Sequence, residues 1–189
     1  EELGYTDKVP KWAVAYKFDA EQVTTELKEV EWQVGRTGKL TPIGKLLPVE
    51  LCGATIKRAT LNNFGDITRK RLKVGGQVFV RRSNDVIPEV LGAADELGTD
   101  IPKPVVCPAC GSVLQEVGAN LYCVNAEKCR PQIVARITHY CSKNACDIEG
   151  ISEKTVTQLV DKLSVQSVAD LYELTESELA ELDGCEDKK

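Results

Sequence analysis

Apolar and polar positions alternate with a period near two through much of the first half of the chain, and with a period near 3.6 in the last third. Trp12-Ala-Val-Ala-Tyr-Lys-Phe18 reads as a strand. Val23, Leu27, Val30, Trp32 and Val34, set among charged neighbours, read as a second strand with only partial alternation. Gly35-Arg36-Thr37-Gly38 is a turn. Short β-like runs follow at 41–52, 55–61, 77–82 and 86–91, punctuated by Gly75-Gly76 and Ser83-Asn84-Asp85. Asp66 to Leu72 fits a short helix between strands. Several short strands with one small helix predict a compact barrel. Trp12, Trp32 and Phe79 fall on strand positions that place them in a core.

The pattern changes after residue 91. Residues 92–106 carry Gly, Asp, Pro102 and Pro104 and read as a linker. A cysteine cluster occupies 107–129. Beyond it Ile133, Ile137 and Tyr140 share one helical face within 132–140. Ser152 caps a helix through Leu163 whose apolar stripe is Val156, Leu159, Val160 and Leu163. Thr175-Glu-Ser-Glu178 is a capping box that opens a helix through Leu182. The fold class is multidomain α+β, ordered as barrel, metal knuckle and helical segment.

The cysteines decide the middle of the chain. Four of the eight lie in one short window with the pattern Cys107-x2-Cys110-x12-Cys123-x5-Cys129. The first pair sits in Cys-Pro-Ala-Cys-Gly, a knuckle turn that leaves two sulfurs on one side with backbone amides aimed at them. Four thiolates complete a tetrahedral zinc ion and leave no open position, which makes the role structural rather than catalytic. The segment has few large apolar side chains, so the metal would replace a core. Two disulfides, free thiols or an iron–sulfur cluster are the alternatives. Cys52, Cys141 and Cys146 lack ligand spacing and read as small buried hydrophobes. His139, the one histidine, reads as a packed, hydrogen-bonded residue.

Charge adds an asymmetry. The net charge is −5, yet residues 28–90 hold 12 Lys or Arg against 6 Asp or Glu, while 131–189 hold 6 against 12. The middle segment alone carries the positive field a phosphate-tracking surface needs. Arg36, between two glycines, can fork onto a phosphate, and Lys57-Arg58, Arg69-Lys70-Arg71 and Arg81-Arg82 add charge. The other reading of these residues is a solvated surface. Asp147-Ile-Glu-Gly-Ile-Ser-Glu-Lys-Thr155 is a hydrophobic–Gly–hydrophobic turn feeding a capped helix, the form of a helix-hairpin-helix element. Backbone amides around Gly150 and Ser152 would then face a phosphate; an ordinary turn between helices is the alternative. No apolar run reaches the roughly 18 residues of a membrane span. Clustered cysteines without a secretory segment suggest a reducing, intracellular compartment. The chain lacks an initiating Met and reads as a piece of something longer.

The order of these motifs resembles the bacterial NAD-dependent DNA ligases over nearly the whole chain. The resemblance rests on Lys11-Trp-Ala-Val-Ala-Tyr-Lys-Phe18, Val34-Gly-Arg-Thr-Gly-Lys-Leu-Thr-Pro42, Arg58-Ala-Thr-Leu-Asn-Asn63, Val80-Arg-Arg-Ser-Asn-Asp-Val-Ile-Pro88, the four-cysteine knuckle and Asp147-Ile-Glu-Gly-Ile151. It implies the last strands of a nucleotidyltransferase domain at 1–22, an OB-fold at 23–100, a zinc finger at 101–131 and part of a helix-hairpin-helix domain at 132–189. It implies nick sealing in duplex DNA with NAD as AMP donor and Mg2+ as helper, by a monomeric, cytoplasmic, nucleoid-associated protein. Lys17 would approach the adenylate phosphate as a catalytic and cofactor-binding residue. Arg36 and Arg82 would grip DNA around the nick, and Val86 and Ile87 would lie against the duplex.

Departures from the family pattern accompany the match. Asn62 replaces a usual His, Ser83-Asn84 stands for Ala-Gly, and Leu182-Asp-Gly-Cys-Glu186 replaces a Gly-Phe-Gly or Gly-Phe-Ala hairpin. No Lys-x-Asp-Gly, the motif of the adenylated Lys, occurs in the chain. A zinc and OB interaction module with no ligase activity, binding single strands or protein, is the competing expectation. Few aromatic residues are available for base stacking, which counts against it.

Overall fold

The computed structural model describes residues 2–14, 21–83 and 87–183. Its elements are β1 (Gln22–Val34), β2 (Leu40–Leu51), β3 (Ala54–Thr60), α1 (Phe64–Arg69), β4 (Lys73–Val74), β5 (Gln77–Ser83), β6 (Ile87–Ala93), β7 (Thr99–Asp100), β8 (Leu114–Val117), β9 (Asn120–Cys123), α2 (Arg130–Cys141), α3 (Glu153–Lys162) and α4 (Glu176–Ala180). Strands β1-β2-β3-β6-β5 form a closed barrel, as the alternation predicts. All neighbours pair antiparallel except β3 and β6, which meet in parallel at Thr60 and Glu89.

The two longest strands explain the imperfect alternation. In β1 the buried positions are Thr25 and Leu27, and a bulge between Leu27 and Glu29 then shifts the phase. Past it Val30, Trp32 and Val34 turn inward instead. In β2 the even positions Leu40, Pro42, Gly44 and Leu46 are buried, and the irregularity between Lys45 and Val49 moves burial to Leu51. A bulge inserts one residue, flips the side chains beyond it and bends the strand, which is how long strands wrap a small barrel. Thr25 is buried at the first bend, and its hydroxyl donates to the Leu47 carbonyl at 2.6 Å.

The barrel core gathers Leu27, Leu46, Leu51, Ile56, Leu61, Val78, Val80 and Val90, with Ile67 of α1 and Leu72 closing one end. Helix α1 starts at Asn63, whose side chain accepts from the Asp66 N–H at 2.8 Å. Asn62, the departure from the family His, holds φ +65 and donates to Asp66 Oδ2 at 3.0 Å. Asn tolerates this left-handed conformation better than most residues.

Three expectations need correction. Residues 12–14 are irregular rather than a strand, and 15–18 lie outside the described residues. Trp12 and Phe79 are exposed, at 43% and 37%. Phe79 sits between buried Val78 and Val80, so the strand period turns it outward. The start of the expected linker belongs to the barrel. β6 runs to Ala93, β7 pairs with β4, and Ile101 is buried in the barrel core.

The helices follow the predicted stripes. Ile133, Val134, Ile137 and Cys141 of α2 pack with Val156 and Leu159 of α3 and with Val165 and Leu182. Capping boxes at Ser152 and Thr175 open α3 and α4. α4 ends at Ala180, short of Leu182. Arg130 at the start of α2 donates from Nε and an Nη to both carboxylate oxygens of Asp161, at 2.7 and 2.6 Å. Among the described residues no helix is long and apolar enough to cross a membrane.

Candidate metal centre and the barrel turn beside it

Two short strands build the knuckle. β8 and β9 pair as a hairpin with Leu114 opposite Cys123. Cys107 and Cys110 come from the turn before it, where the Gly111 N–H donates to the Cys107 carbonyl at 2.9 Å. Cys123 ends β9, and Cys129 is the N-cap of α2. The four ligand atoms lie within 4.8 Å of one another. Cys107 Sγ is 3.9 Å from Cys129 Sγ, and Cys110 Sγ is 3.5 Å from Cys123 Sγ. These separations are far beyond a sulfur–sulfur bond of about 2.05 Å, so the thiols are not paired as disulfides. Four convergent thiols, three of them buried, could hold a metal ion.

The local field is uneven. The Ser112 hydroxyl and N–H, with further help from the Cys123 and Cys107 thiols, pull the Cys110 thiol down to about 6 against the pull of burial. Burial pushes the Cys123 thiol up to about 12. Burial also raises the Cys129 thiol, against the Gln132 side chain, which lowers it. Asn125 Nδ2 lies 2.9 Å from Ser112 Oγ and 3.8 Å from Cys110 Sγ. Ser112 and Asn125 each fall two residues after a cysteine, a spacing visible in the sequence that cysteine counting alone overlooks.

The knuckle is welded to the barrel. Leu40, Cys107, Leu121, Cys123 and Cys129 form one buried cluster, with Trp32, Val34 and Phe64 packed against it from the barrel side. The Cys123 N–H donates to the Gly38 carbonyl at 2.8 Å, and Lys39 bridges to Tyr122. Gly38 has φ +78, and a Cβ there would sit 2.2 Å from the Cys123 carbonyl oxygen. Glycine is therefore required by conformation and by contact.

This weld fixes the turn that carries Arg36. Gly38 N–H donates to the Gly35 carbonyl and Gly35 N–H to the Lys39 carbonyl, both at 2.9 Å, leaving Arg36 exposed at the tip. Arg36 lines a groove of about 340 Å³ with Ala135, Thr138, His139 and Ser142 of the α2 end and Glu153 of α3. Thr138 Oγ1 is buried there without a hydrogen-bond partner. Gly150, at φ +81, and Ser152 directly precede Glu153 in the chain, and neither lines the groove itself. His139 is exposed in this groove, not packed in a core, because it lies opposite the buried face of α2.

Other candidates lie apart. Arg82 shares the inward face of β5 with Val78 and Val80; it is half-buried, its Nη1 reaches the Cys52 carbonyl at 3.5 Å, and its Nε is buried without a partner. Arg81 turns outward to Glu89 at 2.7 Å. Of the cysteines read as buried hydrophobes, only Cys141 is buried; Cys52 and Cys146 are exposed, on a turn and after the α2 end.

Similarity to known proteins is now decisive. The family model of the NAD-dependent DNA ligase OB-fold domain matches residues 24–100. A protein named DNA ligase 2 from Clostridium acetobutylicum is 53% identical over 192 positions, covering 100% of this chain. Proteins named DNA ligase from Alkaliphilus metalliredigens and Alkaliphilus oremlandii are 54% identical over 100% and 99% of it. Residues 24–100 belong to the OB-fold domain family of the NAD-dependent DNA ligases, and the whole chain is similar to a stretch of bacterial DNA ligases.

The chain spans 29% of the length of these ligases. The matched OB-fold residues contain the whole closed barrel apart from the first two residues of β1. Two family positions singled out in the sequence, Lys17 and Val86, lie outside the described residues, as does Gly184 of the second hairpin. Ile87 opens β6. In this chain the OB barrel, the cysteine cluster and the helices meet around residues 38, 123 and 129–132.

Proposed function

We propose that this chain is the DNA-gripping portion of an NAD-dependent ligase that joins a 5′-phosphate to a 3′-hydroxyl at a nick in duplex DNA. The observation that carries this reading is the Arg36 turn. It is exposed, held from behind by the cysteine knuckle, and shares a groove with the start of α3. A guanidinium on a braced turn beside a capped helix start suits a phosphate backbone and reads no base. Gly150 and Ser152 would offer amides to the same strand in a helix-hairpin-helix. Arg82 and the loop carrying Val86 and Ile87 would extend the contact, and Lys17 would serve the adenylate. NAD and Mg2+ belong to the chemistry of the longer enzyme. A chain without Lys-x-Asp-Gly does not adenylate itself, so incubation with NAD should leave it unlabelled.

The metal of the cluster is zinc in this reading. Tetrahedral Zn–S bonds of about 2.3 Å place sulfurs about 3.8 Å apart; the Cys110–Cys123 and Cys107–Cys129 pairs stand at 3.5 and 3.9 Å, and all four lie within 4.8 Å. Metal analysis should return about one zinc per chain.

Binding of the zinc-loaded chain to nicked duplex should weaken steeply with salt and be indifferent to sequence. Arg36→Ala should cost about tenfold in affinity and lower the salt slope by about one. An unchanged slope would show that Arg36 does not meet a phosphate. A second reading, single-strand binding by the barrel, draws on exposed Phe79 beside Arg81 on the outer face of β5. One aromatic is a poor stacking platform. Tighter binding to single strands than to nicked duplex, lost in Phe79→Ala, would favour it.

A further inference from the structure

Gln132 is 2% exposed, one of the two polar side chains buried among the described residues. It stands in the first turn of α2, three residues after Cys129. Its Nε2 donates to the Cys123 carbonyl at 3.0 Å. Its Oε1 is 3.1 Å from the place a Cβ on Gly38 would take. Its backbone N–H donates to the Cys129 carbonyl at 2.9 Å.

Cys123 is thus held on three sides. Its sulfur belongs to the metal cluster, its N–H goes to Gly38 of the Arg36 turn, and its carbonyl goes to Gln132 of α2. A leucine of similar size would fill the same space and spare the desolvation of an amide. An amide is favoured where a donor must reach a carbonyl that is otherwise buried and unsatisfied. Space filling alone does not account for it.

We propose that Gln132 is a positioning residue that locks the Arg36 turn to the metal centre, so that the DNA grip of Arg36 depends on an occupied cluster. The proposal rests on the reading of Arg36 as a phosphate contact. Gln132 touches no DNA in this arrangement and acts through Cys123 and Gly38. Without its donor the Cys123 carbonyl loses its partner, β9 is free to shift, and the Gly38 carbonyl shifts with it. Arg36 then samples positions off the phosphate.

The test uses the zinc-loaded chain and a nicked duplex, with affinity measured over a range of salt. Gln132→Leu removes no charge. A merely structural role would lower affinity without changing the number of phosphates contacted. The positioning role lowers the salt slope by about 0.9, as loss of one phosphate contact does. Affinity should fall roughly fivefold, and Gln132→Leu placed on the Arg36→Ala background should add nothing to the roughly tenfold loss of Arg36→Ala alone. An unchanged slope at full zinc content, or an equal loss on the Arg36→Ala background, overturns the proposal.

If Gln132→Leu sheds zinc, Gly38→Ala decides instead, because it breaks the same weld from the barrel side, at the Cys123 backbone, and leaves all four sulfurs in the chain. It should reproduce the lower slope with zinc retained, and a normal slope refutes the coupling. If Arg36→Ala alone leaves the slope unchanged, the phosphate reading has failed rather than the coupling. Amide exchange then reads the weld directly. Faster exchange at Gly38 and Cys123 in zinc-loaded Gln132→Leu upholds the lock, and unchanged exchange sinks it.

Discussion

Asp66 collects more partners than its place on a short helix requires. Burial pushes its carboxyl up, but hydrogen bonds from Arg69 and Asn62 and the charge of Lys70 win and hold it below the usual range. A carboxylate with a lowered folded value stabilises the protein at pH above its unfolded value near 4. That contribution is lost as pH falls through the folded value. The barrel should therefore lose stability below about pH 4, and Asp66→Asn should flatten this part of the acid profile in chemical denaturation. Asn63→Ala removes the acceptor for the Asp66 N–H and should cost about 1 kcal/mol, read as a lower denaturant midpoint. Both effects would be seen without DNA or metal ligands being altered. At this scale the sequence was informative where chemistry is local: the cysteine spacing, the Ser152 and Thr175 caps and the Arg36 turn all stand where their residue types require. It was silent on Gln132, since nothing in a Gln three residues past a cysteine says that its amide will be buried against a carbonyl from another element.

Among the elements, the barrel strands were legible and their bends were not. Thr25 and Leu27 face inward before the first bulge, and Val30, Trp32 and Val34 after it. A single extra residue leaves little trace in composition, so the strand reads as weakly periodic when it is two clean segments out of phase. Residues 92–101 misled for another reason. Gly, Asp and Pro mark turns, but Ile101 is carried back into the core by the β4–β7 pairing, which spans 25 or more positions in sequence. Thr25 offers a test of the first bend. Thr25→Val keeps the shape and removes the donor from the buried Thr25 position to the Leu47 carbonyl. The expected cost is about 1–2 kcal/mol, measured by thermal or denaturant unfolding. A neutral result would mean that water or a shifted strand replaces the hydroxyl.

For the whole molecule, the arrangement of parts was foreshadowed by motif order, whereas the intimacy of barrel and knuckle was not. The knuckle reads as a separate module because its own apolar residues are few. Its core is completed by Trp32, Val34, Leu40 and Phe64, which the barrel contributes. Metal removal should therefore unfold 107–129 and weaken the barrel without dissolving it, since the cluster around Leu27, Val80 and Val90 lies apart from the ligands. Trp32 reports this directly. The protein has two tryptophans and Trp12 is already exposed, so a red shift of emission on chelation would mark the uncovering of Trp32. The barrel should then melt in a second, lower transition than in the metal-loaded chain. A barrel that unfolds together with the knuckle would show that the two cores are one.

Cys129 is both the last thiol of the cluster that could hold a metal and the residue from which α2 departs. Metal capture therefore sets the direction of an arm. The 12 residues of α2 reach about 18 Å, and a tilt of about 5° at the base moves the far end by about 1.5 Å. Arg130 braces the arm sideways against Asp161, and the Cys129 thiol and the Gln132 amide hold its foot. A different ion in the same four sulfurs, with longer or shorter bonds, would leave every residue in place and still carry His139 and the turn at Gly150 to a different distance from Arg36.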